Sequence, residues 1–297
     1  MRSALLAMTL LATPAFAQIT ALPEPVQARI REIGPAMGAA GVNGSGEALA
    51  PVMPPNTPPT QRDAQYGPDA RNRLDVWAAS ATGAPVLVFV HGGGFVGGDK
   101  TRPGVHFYDN IASWAVRNGM AAVNITYRLA PGHTYPAVIE DITAALTWVR
   151  ANITAHGGDP ARIILMGQSA GAAHVADYLA RNAASPGVAA AVLVSGVYDA
   201  ASYPPGPTAS AYYGGDPAVL AQRSALPGLS RLRIPVLLAN AALEPQPFRD
   251  QGALLRARLP TARFLDLAGH NHFSPVFGLG SADAELSNAI LALRTTP

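Results

Sequence analysis

A serine flanked by glycines stands in the pentapeptide GQSAG at residues 167–171. The apolar run RIILM comes directly before it, and the helix-forming run AGAAHVADYLA follows the serine. A serine hydroxyl attacks a carbonyl carbon only when the backbone projects it and a base takes its proton. Because glycine permits a sharp turn from strand to helix, the pattern predicts that Ser169 projects above a sheet edge as a nucleophile.

A second glycine-rich turn, HGGGF at residues 91–95, follows the apolar run VLVFV. Consecutive glycines allow backbone N–H groups to point together into a concave site, where they can stabilise an oxyanion. We therefore predict Gly93 and Gly94 as oxyanion donors, together with the N–H of Ala170 at the start of the helix. A phosphate-binding loop is the alternative, but the turn lacks the Lys-Ser/Thr pair and the G-x-G-x-x-G spacing of such loops.

Together these motifs resemble the α/β-hydrolase family, in particular carboxylesterases similar to hormone-sensitive lipase and their feruloyl-esterase-like or arylformamidase-like relatives. The resemblance covers roughly residues 65–295 and rests on HGGGF, YRLAP at 127–131, YPAVIED at 135–141, GGDPARIILMGQSAGA at 157–172 and GHNHFS at 269–274. It implies an esterase mechanism that needs no cofactor. It also implies a catalytic triad in the chain order serine, acid, histidine.

The resemblance places the catalytic histidine after the last strand and just before an aromatic residue, which selects His272 ahead of Phe273. His270 in the same loop is the alternative, and its ordinary role would be hydrogen bonding within the loop. Four other histidines are spread over predicted helices and loops, with no spacing that indicates a metal site: His106, His133, His156 and His174.

The resemblance also places the acid a few residues after the strand PVLLAN, where Glu244 is the carboxylate present. The family more usually has Asp-Pro here, so the longer glutamate side chain must still reach the imidazole. Asp199, after the run VLVSGV, is the alternative acid. Asp266 lies within a predicted strand, and we expect it to be an ordinary half-exposed residue.

Composition narrows the class of protein. The chain has 297 residues, 49% of them hydrophobic and 13% charged, with a formal net charge of +2, which fits a single α/β domain with one large core. Lys100 is its one lysine and the arginines are scattered, so we expect no nucleic-acid partner. Without cysteine, the chain has no disulfide or thiolate chemistry.

The N-terminus has the pattern of an export signal. Arg2 precedes the apolar stretch ALLAMTLLA, and the small residues of AFA, ending at Ala17, suit cleavage before Gln18. A membrane anchor is the alternative, but this stretch is shorter than the roughly 20 residues that span a bilayer. We predict a signal peptide at residues 1–17, a periplasmic or secreted mature protein and no stable membrane insertion.

Residues 18–64 are predicted as an N-terminal cap helix followed by a crossing segment. PEPVQARIREIG places Val26, Ile30 and Ile33 on one helical face. The following segment, to about Arg73, contains several glycines and the run APVMPPNTPPT. Its composition predicts an extended or flexible crossing.

Residues 65–297 are predicted as the catalytic domain, because seven β-rich runs of strand length alternate there with helical patterns: RLDVWAAS, APVLVFVHGG, MAAVNITYR, RIILMGQS, VAAAVLVSGV, IPVLLANA and ARFLDLAG. One helical pattern covers residues 136–150, with a stripe that includes Val138, Ile142 and Val149. Strands that are apolar on both faces and alternate with helices indicate a mostly parallel, doubly wound sheet with helices on both faces. The predicted class is therefore the α/β-hydrolase fold with a small N-terminal helical cap.

A Pro-, Gly- and Tyr-rich insertion at residues 198–229 interrupts the alternation. Since loops at the carboxyl edge of such sheets line binding crevices, we favour a pocket wall over an ordinary surface loop. We predict Phe95, Tyr198 and Tyr212 as substrate-binding residues, with Tyr127, Tyr203 and Tyr213 as further aromatic candidates.

The expected activity is hydrolysis of small or medium carboxylic esters with short acyl or aryl groups. Arylformamide or hydroxycinnamate substrates stay open, and so does acyl transfer or C–C bond cleavage by the same triad. A non-catalytic binding protein on this fold is a further alternative, although such proteins typically lose the serine or the histidine. The sequence leaves a homodimer possible.

Overall fold

A computed structural model describes residues 19–295. Within that range eight strands form one sheet: β1 (Gln61–Gln65), β2 (Arg73–Trp77), β3 (Ala84–Val90), β4 (Ala121–Ile125), β5 (Gly158–Gln168), β6 (Ala190–Val194), β7 (Val236–Ala241) and β8 (Arg263–Leu267). Their spatial order is β1-β2-β4-β3-β5-β6-β7-β8. Strand β2 is antiparallel to both of its neighbours, and the other pairs are parallel. The predicted α/β-hydrolase fold with a mostly parallel sheet is confirmed.

Helices cover both faces of this sheet: α1 (Glu24–Ile33), α2 (Gly38–Leu49), α3 (Asp109–Arg117), α4 (Ala137–Asn152), α5 (Ala170–Arg181), α6 (Pro207–Tyr213), α7 (Pro217–Arg223), α8 (Leu226–Leu229), α9 (Gln246–Arg258), α10 (Ser274–Phe277) and α11 (Glu285–Ala292). Strand β3 illustrates why the strands read as continuous apolar runs. Val86 and Val88 belong to the core that includes residues of α4 and α5, whereas Leu87 and Phe89 belong to the opposite core with residues of α1 and α3. Successive side chains of a strand point to opposite faces of the sheet, so a central strand needs apolar residues at both its odd and its even positions.

The helices predicted from periodicity form where their apolar stripes are buried. Helix α4 covers Ala137–Asn152, and Val138, Ile142 and Val149 of its stripe are almost fully buried. Helix α1 buries Val26 and Ile30. Amphipathic periodicity is thus sufficient to locate these two helices.

Strand β1 was not expected from the sequence. Its residues QRDAQ are polar, and Ala64 is the one buried side chain of the strand. An edge strand needs a single pairing partner and no apolar alternation, so hydropathy does not mark it.

The crossing segment differs from the expectation, because it contains helix α2. Its sequence GAAGVNGSGEAL has low intrinsic helix propensity, since glycine costs about 1 kcal/mol per residue relative to alanine. Packing compensates: a Cβ on Gly41 would lie 2.1 Å from the carbonyl oxygen of Ala36 and 2.5 Å from the ring of Phe273. The small residues therefore allow α2 to lie directly on the domain, whereas residues 53–60 stay without helix as expected.

The predicted signal peptide, residues 1–17, lies outside the described residues. Among residues 19–295, none of the helices has both the length and the apolar character that crossing a bilayer requires.

We expect Gly41→Val to lower the thermal unfolding midpoint, because overpacking at this contact costs about 1–3 kcal/mol. Differential scanning calorimetry would measure the change. Ala40→Val is the matched control, since Ala40 is exposed on the same helix and its substitution should leave the midpoint almost unchanged. Equal midpoints for the two variants would show that α2 does not pack closely on the domain.

Candidate active site

The turn that carries Ser169 joins the end of β5 to the first residue of α5. Ser169 has φ 56° and ψ −124°, a conformation that costs a non-glycine residue about 1–3 kcal/mol. Two glycines make it possible: a Cβ on Gly167 would lie 2.4 Å from the carbonyl oxygen of Gly171, and a Cβ on Gly171 would lie 2.1 Å from that of Val90. The structure thus has the tight strand-to-helix turn that GQSAG predicts.

The glycine-rich turn after β3 lies beside this serine. Gly93 and Gly94 have φ 144° and 61°, and a Cβ on Gly93 would lie 2.0 Å from the carbonyl oxygen of Gly97. Ala170 is the first residue of α5, a position whose N–H has no acceptor within the helix. These three residues line one cavity with Ser169, as a backbone oxyanion site requires.

Ser169, His272 and Glu244 form a continuous hydrogen-bonded chain. The distance from Ser169 Oγ to His272 Nε2 is 2.8 Å, and that from His272 Nδ1 to Glu244 Oε2 is 2.9 Å. The side chains of His272 and Glu244 are both 0% exposed. The three residues expected to act together therefore meet, and the glutamate side chain is long enough to reach the imidazole.

Glu244 is held by groups that belong to β7. Its Oε1 accepts hydrogen bonds from Asn240 Nδ2 at 2.7 Å and from the N–H of Ala241 at 3.2 Å. Asn240 Nδ2 also donates to the carbonyl of Phe248 in α9. One carboxylate oxygen is thus fixed by the strand, which leaves the other directed at His272.

The loop that carries His272 is fixed from two sides. Gln168, directly before the serine, donates its side-chain N–H to the carbonyl of His272 at 3.0 Å. Asn271 donates through Nδ2 to Ser45 Oγ of α2 at 2.9 Å, and its Oδ1 accepts from the N–H groups of Phe273 and Ser274. The imidazole therefore does not depend on its own loop alone for its position.

The alternative residues lie in other hydrogen-bond networks. His270 contacts Ser274 Oγ through Nδ1 at 2.9 Å and Asp283 through Nε2 at 2.7 Å, which is a role within the loop. Asp199 accepts from the N–H of Ala201 at 3.3 Å, and Asp266 is exposed on β8. In the described structure, Glu244 is the acid that contacts His272.

A cavity of about 720 Å³ opens above Ser169. Several of the apolar residues that line it come from distant parts of the chain: Met37, Val42, Phe107, Val197, Phe248 and Phe273. Helix α2 and the residue before it thus contribute to the cavity, although the sequence indicated only a crossing segment there. The volume fits a small or medium molecule.

The three predicted substrate-binding residues have different positions. Phe95 lines the cavity, but Tyr198 and Tyr212 are almost fully buried and do not. Tyr212 stacks behind Phe95, with ring centroids 5.4 Å apart. The Tyr198 hydroxyl accepts from the N–H of Gly196 inside the core. The expectation for these two tyrosines is corrected: Tyr212 supports the wall from behind, and Tyr198 is part of the core.

The insertion at residues 198–229 folds into α6, α7 and α8 and contributes Tyr203 and Thr208 to the cavity. Tyr203 was one of the further aromatic candidates. Tyr127 and Tyr213 are buried, and the Tyr127 hydroxyl donates to the carbonyl of His91 beside the glycine-rich turn. The insertion therefore forms part of the pocket wall, as the sequence favoured.

Two histidines near the cavity are held in their neutral form by burial. Burial lowers the pKa of His91 to about 4, and its Nδ1 lies 2.6 Å from the carbonyl oxygen of Gly92. Burial also lowers the pKa of His174 to about 3, where its ring packs edge-on against Phe95. Neither adds a positive charge beside the serine near neutral pH.

Sequence reasoning missed Gln168 and Asn240, which hold the His272 loop and the Glu244 carboxylate in place. Gln168 occupies the variable position of G-x-S-x-G, and Asn240 is the last residue of the apolar run PVLLAN. A polar residue at the end of a buried strand is a usable signal for Asn240. No comparable signal distinguishes Gln168, because many residues fit that position.

The family model described as "alpha/beta hydrolase fold" matches residues 87–258, more than half of the chain. That region contains the glycine-rich turn, Ser169 and Glu244. The chain belongs to this family.

Named relatives share part of their length with this chain. It is 39% identical over 153 residues to Esterase LipQ of Mycobacterium tuberculosis, covering 46% of this chain and 35% of that protein. It is 44% identical over 105 residues to Carboxylesterase NlhH of the same species, covering 34% and 31%. The chain thus spans about a third of the length of these relatives.

A similar fold is found in a hyperthermophilic esterase from the archaeon Pyrobaculum calidifontis. The TM-score is 0.68 at 23% sequence identity, covering 93% of this chain and 95% of that one. Esterase B from Lactobacillus Rhamnosis also has a TM-score of 0.68, at 18% identity, over 92% of this chain and 94% of that one. At these identities the similarity establishes the fold.

Behind the Phe95 wall, burial raises the pKa of Asp177 from 3.8 to about 8, while Tyr213 donates a hydrogen bond to it at 2.7 Å. The folded protein therefore keeps a proton on Asp177 between about pH 4 and pH 8, where the unfolded chain has lost it. The buried neutral histidines His91 and His174 make stability rise with pH up to about pH 6.5. Against this background the contribution of Asp177 to stability should fall as pH rises through its window, by up to about 1.4 kcal/mol per pH unit. Asp177→Asn should remove that dependence, and thermal unfolding midpoints from pH 5 to pH 8 would measure it.

Asp266→Asn is the matched control, because Asp266 is exposed on β8 and its loss should leave the pH dependence in place. If the stability of Asp177→Asn and of Asp266→Asn changes equally between pH 5 and pH 8, Asp177 is ionised in the folded protein and the expectation is wrong.

Proposed function

We propose that this protein hydrolyses carboxylic esters through an acyl-enzyme intermediate on Ser169. The observation that carries the proposal is the hydrogen-bonded chain from Ser169 through His272 to Glu244, with distances of 2.8 Å and 2.9 Å. The names of the partly matching relatives, Esterase LipQ and Carboxylesterase NlhH, support the same class of reaction.

In the first half-reaction, Ser169 Oγ attacks the ester carbonyl carbon as His272 Nε2 takes the hydroxyl proton. Glu244, hydrogen-bonded to His272 Nδ1, orients the ring and stabilises the imidazolium that forms. The N–H groups of Gly93, Gly94 and Ala170 donate hydrogen bonds to the developing oxyanion. The tetrahedral intermediate then collapses, and His272 gives its proton to the departing alkoxide, which leaves as an alcohol.

The second half-reaction repeats these roles with water. His272 takes a proton from a water molecule as the water oxygen attacks the acyl carbon. Collapse of the new intermediate returns the proton to Ser169 Oγ and releases the carboxylic acid. No step requires a cofactor, because every proton transfer uses a residue of the triad.

The cavity supports small and medium esters as substrates. Its volume of about 720 Å³ and its aromatic residues Phe95, Phe107 and Phe273 suit a short acyl chain or an aryl group. An aryl formamide or a hydroxycinnamate ester fits the same description. Both would be cleaved by the same sequence of steps.

Export is part of the proposal. The charged start, the apolar stretch and the small residues that end at Ala17 support removal of residues 1–17 and a periplasmic or secreted mature protein.

A fluorophosphonate probe should label Ser169, and the protein should hydrolyse 4-nitrophenyl acetate. Ser169→Ala or His272→Ala should each reduce kcat by up to about a millionfold, since nucleophile and base act as a unit. Peptide mapping and stopped-flow or steady-state assays would measure the two effects. His270→Gln is the control for the base, because His270 contacts Ser274 and Asp283 and should not take the serine proton.

The same assay identifies the acid. Glu244→Gln should reduce kcat by about 10⁴-fold, because the amide favours the wrong imidazole tautomer. Asp199→Asn should retain most of the activity. An active Glu244→Gln variant together with an inactive Asp199→Asn variant would identify Asp199 as the acid. In the labelling experiment, reaction of the probe at another residue would exclude Ser169 as the nucleophile.

Hydrolysis of 4-nitrophenyl esters should decline as the acyl chain lengthens from butyrate to palmitate, because a cavity of about 720 Å³ is of the size that binds small and medium ligands. Values of kcat/KM measured below the critical micelle concentration of each ester would test this. A steady rise toward palmitate would instead indicate a lipase-like site.

A further inference from the structure

The cavity above Ser169 has an uneven distribution of charge. Among the described residues that line it, Arg102 is the one with a basic side chain and Asp99 is the one with an acidic side chain. Both are exposed, whereas Ser169 is buried. The cavity therefore has an apolar interior that leads to the serine and a charged rim on its solvent side.

The charge of Asp99 is already compensated. Its Oδ1 accepts a hydrogen bond from the N–H of Lys100 at 2.7 Å, and its Oδ2 lies 3.6 Å from Arg71. The Lys100 ammonium in turn contacts Asp63 and Asp75 at 2.7 Å and 3.2 Å. These groups form one ion-pair network beside the rim, in which each carboxylate contacts at least one basic group.

Arg102 is different, because within residues 19–295 it takes part in no ion pair. One of its N–H groups donates to Asn43 Oδ1 of α2 at 3.1 Å. That bond links the guanidinium to α2, which also lines the cavity. A guanidinium has five N–H donors in a planar fork, so a carboxylate can still be bound in a bidentate manner.

We propose that the preferred substrates are esters that carry a carboxylate remote from the ester bond, and that Arg102 binds this carboxylate. The inference rests on the proposed ester hydrolysis by Ser169. Because Arg102 lies at the exposed rim and Ser169 at the buried end, the carboxylate and the reacting carbonyl must be separated by a spacer. An aryl ring or a chain of several methylene groups in the apolar interior meets this requirement.

Two matched pairs of esters test the proposal. The first pair has the charge on the acyl side: the 4-nitrophenyl monoester of adipic acid and the same compound with its free carboxylate methylated. The second pair has the charge on the alcohol side: 4-acetoxybenzoate and its methyl ester. For each pair, the measured quantity is the ratio of kcat/KM for the anionic ester to kcat/KM for the neutral one.

Arg102→Gln should lower this ratio about tenfold for at least one pair, the size expected for a partly exposed charge-assisted hydrogen bond. Arg102→Lys should retain part of the preference, because it keeps the charge but loses the fork. Raising the salt concentration should lower the ratio for the wild type and leave it almost constant for Arg102→Gln. Arg231→Gln, which removes an exposed arginine next to α8, is the control and should not change the ratio.

The possible failures are distinguishable. If neutral esters are cleaved in a Ser169-dependent way but Arg102→Gln leaves both ratios at their wild-type values, Arg102 does not select anions and the proposed hydrolysis stands. A ratio that falls equally in Arg231→Gln would attribute the effect to net charge and would also overturn the proposal. If none of the four esters is cleaved, or if cleavage survives Ser169→Ala, the proposed hydrolysis and this inference fail together.

Discussion

The close approach of Gly171 to the end of β3 sets the geometry of the whole site. A Cβ at this position would lie 2.1 Å from the carbonyl oxygen of Val90, so any other residue would push α5 away from β3. Strands β3 and β5 pair in parallel, with Val90 opposite Gly167. Because parallel strands end at the same sheet edge, this single contact brings the serine turn beside the glycine-rich turn. The positions of Ser169 and of the glycine-rich turn therefore have a common origin in backbone packing.

The histidine and the acid depend on a different kind of constraint, since they come from later in the chain. Glu244 is positioned by Asn240 at the end of β7, and the His272 carbonyl is held by Gln168 at the end of β5. Glu244 and the loop of His272 are thus each tied to the edge of the sheet by a polar residue at a strand end. These polar groups are buried and satisfied by one another, so losing one would leave an unpaired buried group as well as a misplaced side chain.

A structural feature could be predicted from the sequence where the residues that determine it are close neighbours in the chain. Ser169, Gly93 and Gly94 are marked by turn chemistry within a few residues, and α4 is marked by its own periodicity. The placement of Tyr198 and Tyr212 was wrong because an aromatic residue in a loop has the same sequence signal whether it faces a cavity or the core. Only the three-dimensional packing distinguishes the two cases: Tyr212 stacks on Phe95, and the Tyr198 hydroxyl accepts a hydrogen bond from Gly196. Asn240 and Gln168 depend on partners 4 and 104 positions away, respectively, and no local pattern indicates the second.

Helix α2 explains why a glycine-rich segment is ordered and why it matters for the site. Three of its residues reach three different places: Gly41 touches Phe273, Asn43 binds Arg102 at the rim, and Ser45 binds Asn271 beside the histidine. The contact of Ser45 with Asn271 is fully buried, whereas the contact of Asn43 with Arg102 is exposed. Lifting the whole helix would expose two buried polar groups, but separating Asn43 from Arg102 only exchanges one hydrogen bond for another with water. A substrate therefore enters more easily past the rim than by displacing α2. The part of the substrate that enters last, or that stays outside the cavity, then lies beside Arg102.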